Sequence, residues 1–294
     1  MGNNARYRKT LQELTFKDNF MFAATMLDEE NAKGVLERVL NQKIEHVEIV
    51  HEKNIVYNPE YKGVRLDVYI KDDKHTHYDV EMQVVNKKVF KRARYYHSQI
   101  DMELLEAGVE YEELPKAYVI FICDYDPIGL GKYKYTLCQK IQEDKTYEYD
   151  DGSHTIFLST VGKNDDEESK ELIQFLKFAG ADLAGSNREY EDAFVRRLQE
   201  SVNKIKFDRE MGRRYMTMKE LLKDEFQAGK AEGKVEGKAE VICSFLSDIA
   251  PLPDNLKSRI ASIEDSVILD KLSKIAARVN TIEEFICEMN AMHL

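Results

Sequence analysis

Cysteine is scarce and scattered. Cys123, Cys138, Cys243 and Cys287 lie far apart and no C-x-x-C occurs, so neither a disulfide framework nor a zinc site is expected. Cys123 sits in an apolar strand-like run, where a buried free thiol is the ordinary state. No apolar run approaches membrane-spanning length. The opening MGNNARYRKTLQ lacks the apolar stretch of a signal peptide, and Arg6 stands where a myristoylation signal requires Ser or Thr. A cytoplasmic protein without a membrane partner is the expectation. There is no G-x-x-x-x-G-K-[ST] loop and no G-x-G-x-x-G fingerprint, so ATPase and nicotinamide-dehydrogenase readings drop out. Acyl transfer loses weight because no G-x-S-x-G elbow occurs. A positive excess is missing too: 43 Lys and Arg face 54 Asp and Glu, a net charge of −11. Nucleic-acid binding would have to come from a local patch.

The 294 residues are 43% hydrophobic and 33% charged, which suits one domain of ordinary size plus a smaller one. Residues 15–45 read as helix, with a break near Asp28-Glu29-Glu30. HVEIV (46–50), VRLDVYI (64–70) and YDVEMQVV (78–85) read as an antiparallel meander, the last two joined by the polar turn KDDKHTH. Residues 87–107 read as helix, with Phe90, Ala93, Tyr96, Ile100 and Leu104 on one side. AYVIFIC (117–123) is apolar throughout, as in a strand buried on both faces. YKYTLCQKI and HTIFLST read as further strands, and KNDDEESKELIQFLKFAG as a capped helix.

Past a soft boundary near Gly185 the strand signals fade, and the remaining segment is helical, charged and free of proline until Pro251 and Pro253. Within it GKAEGKVEGKAE (229–240) repeats with period four. On a helix its glycines form a stripe that drifts by about 40° per repeat. Each interior Gly costs about 1 kcal/mol against Ala, so either another helix approaches closely or the segment is a pliable connector.

The chemistry concentrates in HYDVEMQVVNKKVFKRARYY (77–96). Period two puts Arg65, Asp67 and Tyr69 on one face of their strand and Asp79, Glu81 and Gln83 on one face of the next. If the strands pair as a hairpin, Asp67 lies beside Glu81, and like charges side by side repel unless something positive sits between them. Mg²⁺ (or Mn²⁺) takes oxygen ligands, and two carboxylates plus a backbone carbonyl are a reasonable protein share of its shell. A solvated edge strand satisfies the same pattern. Asp79 reads as a surface or supporting residue, and His75 and His77 as solvated turn residues. The next segment puts Lys87, Lys88, Lys91, Arg92 and Arg94 within eight residues of an acidic chain. On a helix Lys88, Arg92, Tyr96 and Gln99 share a stripe that can present donors to phosphate beside the carboxylates. A solvated helix face reads the same way.

Asp67, then Glu81-Met82-Gln83, then an Arg- and Tyr-bearing helix resembles the PD-(D/E)XK nuclease superfamily. More closely, the chain resembles the bacterial PD-(D/E)XK transposase-like, recombination-promoting nucleases. The resemblance rests on TFKDNFMF (15–22), LERVLN (36–41), GVRLDVYI (63–70), YDVEMQ (78–83) and RARYYHSQI (92–100). It covers residues 13–185 well and the Gly-and-Glu tail loosely. It implies an α/β, restriction-endonuclease-like core with a mixed central sheet flanked by helices (1–185), and a helical C-terminal region (186–294) serving self-association or regulation. It implies a Mg²⁺- or Mn²⁺-dependent DNA endonuclease linked to recombination or transposition. Asp67, Glu81 and the Met82 carbonyl would hold the metal. Gln83 would stand where the superfamily usually has Lys and orient water through its carbonyl. Arg92, Tyr96 and Gln99 would brace the site or touch phosphate, and Glu30 or Glu37 would assist from the first helix. Two rivals stay open: a degenerate nuclease fold that binds DNA or protein without cleaving, and an assembly module driven by the C-terminal helices.

Overall fold

A computed structural model describes residues 9–51, 54–55, 64–144 and 146–292. The first eight residues, on which the lipidation reading rests, lie outside the described residues, as do Gly63 and the Arg65 side chain of the GVRLDVYI motif. The chain divides into two compact units, Met1–Tyr215 and Met216–Leu294.

The first unit opens with α1 (Asn19–Met26) and α2 (Glu29–Leu40). The expected break falls at Asp28, which leaves the helical conformation and accepts the Asn31 amide at 3.0 Å, capping α2. Then come β1 (Val47–His51), β2 (Asn54–Ile55), β3 (Val64–Arg65), β4 (Val68–Asp72) and β5 (His77–Gln83). Helix α3 (Phe90–Leu104) crosses to β6 (Ala117–Cys123). After β7 (Lys134–Leu137), a small hairpin of β8 (Gln139–Lys140) and β9 (Glu148–Tyr149) precedes β10 (Ser153–Ser159). Helices α4 (Lys170–Ala179), α5 (Leu183–Ser186) and α6 (Ala193–Phe207) follow.

The main sheet has the order β1-β4-β5-β6-β10-β7. Its first three strands are the expected antiparallel meander. β5, β6 and β10 run parallel, and β7 returns antiparallel along β10. The sheet is therefore mixed, with α3 as the crossover that two neighbouring parallel strands require. β6 is buried on both faces, as its apolar run predicts.

Two readings of the hairpin need correction. VRLDVYI is not one strand: β3 pairs with β2, the chain breaks at Leu66-Asp67, and β4 starts afresh at Val68. The break resets the alternation, so Leu66 and Tyr69 enter the same apolar cluster under α3. β5 is not half-exposed either. With β4 on one side and β6 on the other, every residue from His77 to Met82 is buried. His77 therefore lies in the sheet, its Nδ1 2.8 Å from the Tyr69 hydroxyl, while His75 alone occupies the turn, at φ 59°.

α3 covers one sheet face with Ala93, Tyr96 and Ile100, packed with Val119, Phe121 and Phe157. Elsewhere Phe16 joins α1 to α4, its ring centroid 5.4 Å from Phe22, 6.0 Å from Phe175 and 5.5 Å from Phe178. α6 packs on α1 and α2, where Arg38 holds Asp192 through one guanidinium nitrogen at 3.0 and 3.1 Å. Gly34 is required there: a Cβ on it would lie 2.1 Å from the Phe194 ring.

Helix α7 (Arg209–Ile249) carries the glycine repeat, and no atom lies within 4 Å of where a Cβ on Gly229, Gly233 or Gly237 would stand. Among the described residues no second helix uses the stripe. In the second unit α8 (Asp254–Ala261), α9 (Ser266–Ala276) and α10 (Ile282–Ala291) close a core of Ile242, Leu246, Leu256, Ile260, Leu272 and Phe285 against the end of α7. No helix of the described residues is long and apolar enough to cross a membrane. The four cysteines are free and Cys123 is buried.

Candidate active site

The ladder that pairs Val68 with Val80 and Tyr69 with Asp79 brings Asp67 opposite Glu81. The two are laced together: the Asp67 amide donates to Glu81 Oε1 at 3.0 Å, and the Met82 amide donates to Asp67 Oδ2 at 3.3 Å. The strand break at Asp67 makes this lacing available, because an interior ladder residue would spend its amide on the neighbouring backbone.

The site goes deeper than the sequence suggests. Asp79 is fully buried, neither of its carboxyl oxygens receives a hydrogen bond from an N–H donor, and its carboxyl stands beside that of Glu81. Burial, then the charges of Glu81 and Asp67, hold its pKa well above the usual carboxylate range. Glu81, whose side chain is 1% exposed, is pushed up to about 8 by burial and then by Asp67. The nearby Arg92 charge and the Asp67 amide pull the other way without offsetting the burial. Asp79 is thus not a surface residue. The signal for it lies in the apolar strands on both sides of YDVEMQ, which make β5 central.

Arg92 rises from the first turn of α3 and turns inward. Its Nη2 pairs with Glu81 Oε2, its Nη1 donates to Gln83 Oε1 at 3.0 Å, and its Nε donates to the Tyr96 hydroxyl at 2.6 Å. The guanidinium carbon stands 4.9 Å from the Tyr96 ring centroid and 5.3 Å from that of Phe121. Gln83 spends its other end on the Val85 carbonyl at 2.5 Å. Tyr125, just beyond β6, fixes the connecting segment by donating to the Lys87 carbonyl at 2.8 Å.

The structure therefore brings together Asp67, Glu81, Met82, Gln83, Arg92 and Tyr96. Lys88 precedes α3 and is exposed; Gln99 is half-buried. Among the described residues neither bonds to the carboxylates. Lys87, Lys91 and Arg94 are exposed around Arg92. The acids expected from the first helix are engaged elsewhere: Glu30 with Lys33 at 2.8 Å, Glu37 with the Ile44 amide at 3.1 Å and Lys43 at 3.5 Å.

The donor set matches a hard divalent cation in kind, since every candidate ligand is an oxygen and a fully buried carboxyl without a donor lies behind. In number it is small: among the described residues no group of three or more His, Cys, Asp or Glu side chains is arranged to hold a metal ion. Arg92 already pairs with Glu81 through the Oε2 oxygen.

No curated protein and no solved structure matches the chain. A family model does, that of the PD-(D/E)XK nuclease family transposase, over residues 14–231. That stretch contains the carboxylates, Gln83, the Arg-bearing helix and the first residues of the glycine repeat. The chain, matched over well more than half its length, belongs to the PD-(D/E)XK nuclease family transposases.

Proposed function

We propose that this chain binds DNA through its nuclease fold, with the carboxylate site held in a non-cleaving state by Arg92. The observation that carries this reading is that a single guanidinium occupies both Glu81 and Gln83. Those are the residues that would ligate a cation and orient the attacking water. Gln83 cannot supply the positive charge of the lysine usual in the superfamily. DNA contact falls to Lys87, Lys88, Lys91 and Arg94, a local basic patch on an otherwise acidic chain.

A second reading, a Mg²⁺- or Mn²⁺-dependent endonuclease serving recombination or transposition, is favoured by the side-by-side placement of Asp67 and Glu81 over the donorless Asp79. Asp67, Glu81 and the Met82 carbonyl would then hold the metal. A bound divalent ion would neutralise charge on a phosphodiester and acidify a water. Gln83, once released by Arg92, would accept a hydrogen bond from that water and aim it.

Plasmid incubation with the full chain in Mg²⁺, Mn²⁺ or EDTA, beside Asp67→Ala and Glu81→Ala, separates the two. The DNA-binding reading expects gel retardation without nicking in every condition. Metal-dependent nicking that both substitutions abolish, with folding intact, would replace it by the endonuclease reading. No retardation at low salt and no nicking would remove both.

A further inference from the structure

The segment between β5 and α3, residues 84–89, carries Lys87 and Lys88 and belongs to neither a strand nor a helix. Its ends are fixed: the Asp124 amide donates to the Gln83 carbonyl at 3.0 Å, and Val89 is buried in the apolar cluster under α3. Between them Val85, Asn86, Lys87 and Lys88 are all exposed, so packing does little to order the stretch and its shape falls to hydrogen bonds. Two side chains take hold of it. Gln83 donates through Nε2 to the Val85 carbonyl at 2.5 Å while its Oε1 accepts from Arg92 at 3.0 Å. The Tyr125 hydroxyl grips both backbone groups of Lys87, donating to the carbonyl at 2.8 Å and accepting from the amide at 3.4 Å. Position 83 therefore calls for an amide. Lysine would set a second cation against Arg92, and an ionised glutamate has no donor for the Val85 carbonyl.

We propose that Gln83 and Tyr125 are positioning residues for DNA. Together they hold residues 84–89 in the shape that presents Lys87 and Lys88 to the phosphate backbone, with Arg92 as the fixed post behind Gln83. The inference rests on the DNA reading above and deepens it, because the amide at position 83 then orders the contact surface. A lysine on an ordered segment meets phosphate without first losing the freedom of its backbone, so the clamp raises affinity without touching DNA itself. Arg92 stays on Glu81 and Gln83 whether or not DNA is bound.

The full chain is compared in EDTA as wild type, Tyr125→Phe and Gln83→Met, neither of which changes charge. Affinity for a short duplex is read by fluorescence anisotropy over a salt series. The initial rate of tryptic cutting after Lys87 and Lys88 is read by mass spectrometry, with and without duplex, and folding by thermal melts. Both variants are expected to stay folded and to be cut faster at these two bonds. They are expected to bind the duplex about fivefold more weakly, with a slope of log affinity against log salt smaller by about 1. In wild type the duplex is expected to protect both bonds. A merely structural role would lower the melting temperature and leave the salt slope and the cutting rate at these bonds unchanged. The inference is overturned if the folded variants bind with wild-type affinity and slope. It is equally overturned if they bind more weakly while the two bonds are cut at the wild-type rate. Bound duplex that leaves both bonds unprotected in wild type overturns it as well, and that measurement needs no variant to fold. Failure of the underlying reading is seen separately, as a wild type that does not bind the duplex at low salt.

Discussion

The buried acids decide how this protein responds to pH. Both Asp79 and Glu81 hold their protons more tightly folded than unfolded, Glu81 up to about 8 against an ordinary 4.5. Across that interval the native state carries more protons than the unfolded chain, so stability falls as pH rises from about 4.5 to about 8. The loss is on the order of 1 kcal/mol per pH unit for each group titrating in the interval. Thermal melts of metal-free protein should therefore show Tm dropping from pH 5 to pH 8. Asp79→Asn, which removes the charge and keeps the shape, should flatten that slope and raise Tm at pH 8. A wild type whose Tm is level over this range would contradict the burial argument. Asp67 and Glu81 were legible in the sequence because alternation and a hairpin turn are local. Asp79 was not, because its burial comes from β6, nearly forty residues further on. The inward turn of Arg92 was equally hidden: helical spacing places it on a stripe without saying whether that stripe meets solvent or acid.

Element boundaries followed the sequence where punctuation is strong. Asp28 stops one helix and caps the next, and Ser169 caps α4 by accepting the Leu172 amide at 3.2 Å. They departed from it at Leu66-Asp67, where seven alternating residues look like one strand and form the ends of two. The break lends the Asp67 amide to Glu81. Two helices give tests of their own. Gly34→Ala forces a Cβ into the Phe194 ring and is expected to destabilise the first unit by about 1–3 kcal/mol in urea unfolding. The α7 glycines behave oppositely. With no neighbour to meet, Gly229, Gly233 and Gly237 changed together to Ala should stabilise the helix by roughly 1 kcal/mol each, seen as greater helical ellipticity and a later melt. A loss of stability instead would mean that another surface, a second copy of the chain among them, needs the stripe bare.

For the molecule as a whole, charge is the quantity that separates its readings. A chain of net charge −11 repels DNA at long range, so whatever attraction exists is short-ranged and local to residues 87–94. The general fold, a mixed sheet under helices followed by a helical C-terminal region, was readable because apolar strands and charged helices differ in period. Which charges would meet DNA was not, because that depends on where α3 starts relative to the sheet. Duplex binding in EDTA, followed by fluorescence anisotropy across a salt series, tests the central claim most directly. The account expects salt-dependent binding by wild type. Reversing Lys88 and Lys91 to Glu should weaken it uniformly across sequences and reduce the slope of log affinity against log salt by about 2. Absence of binding at low salt, or binding that ignores both reversals, would contradict it.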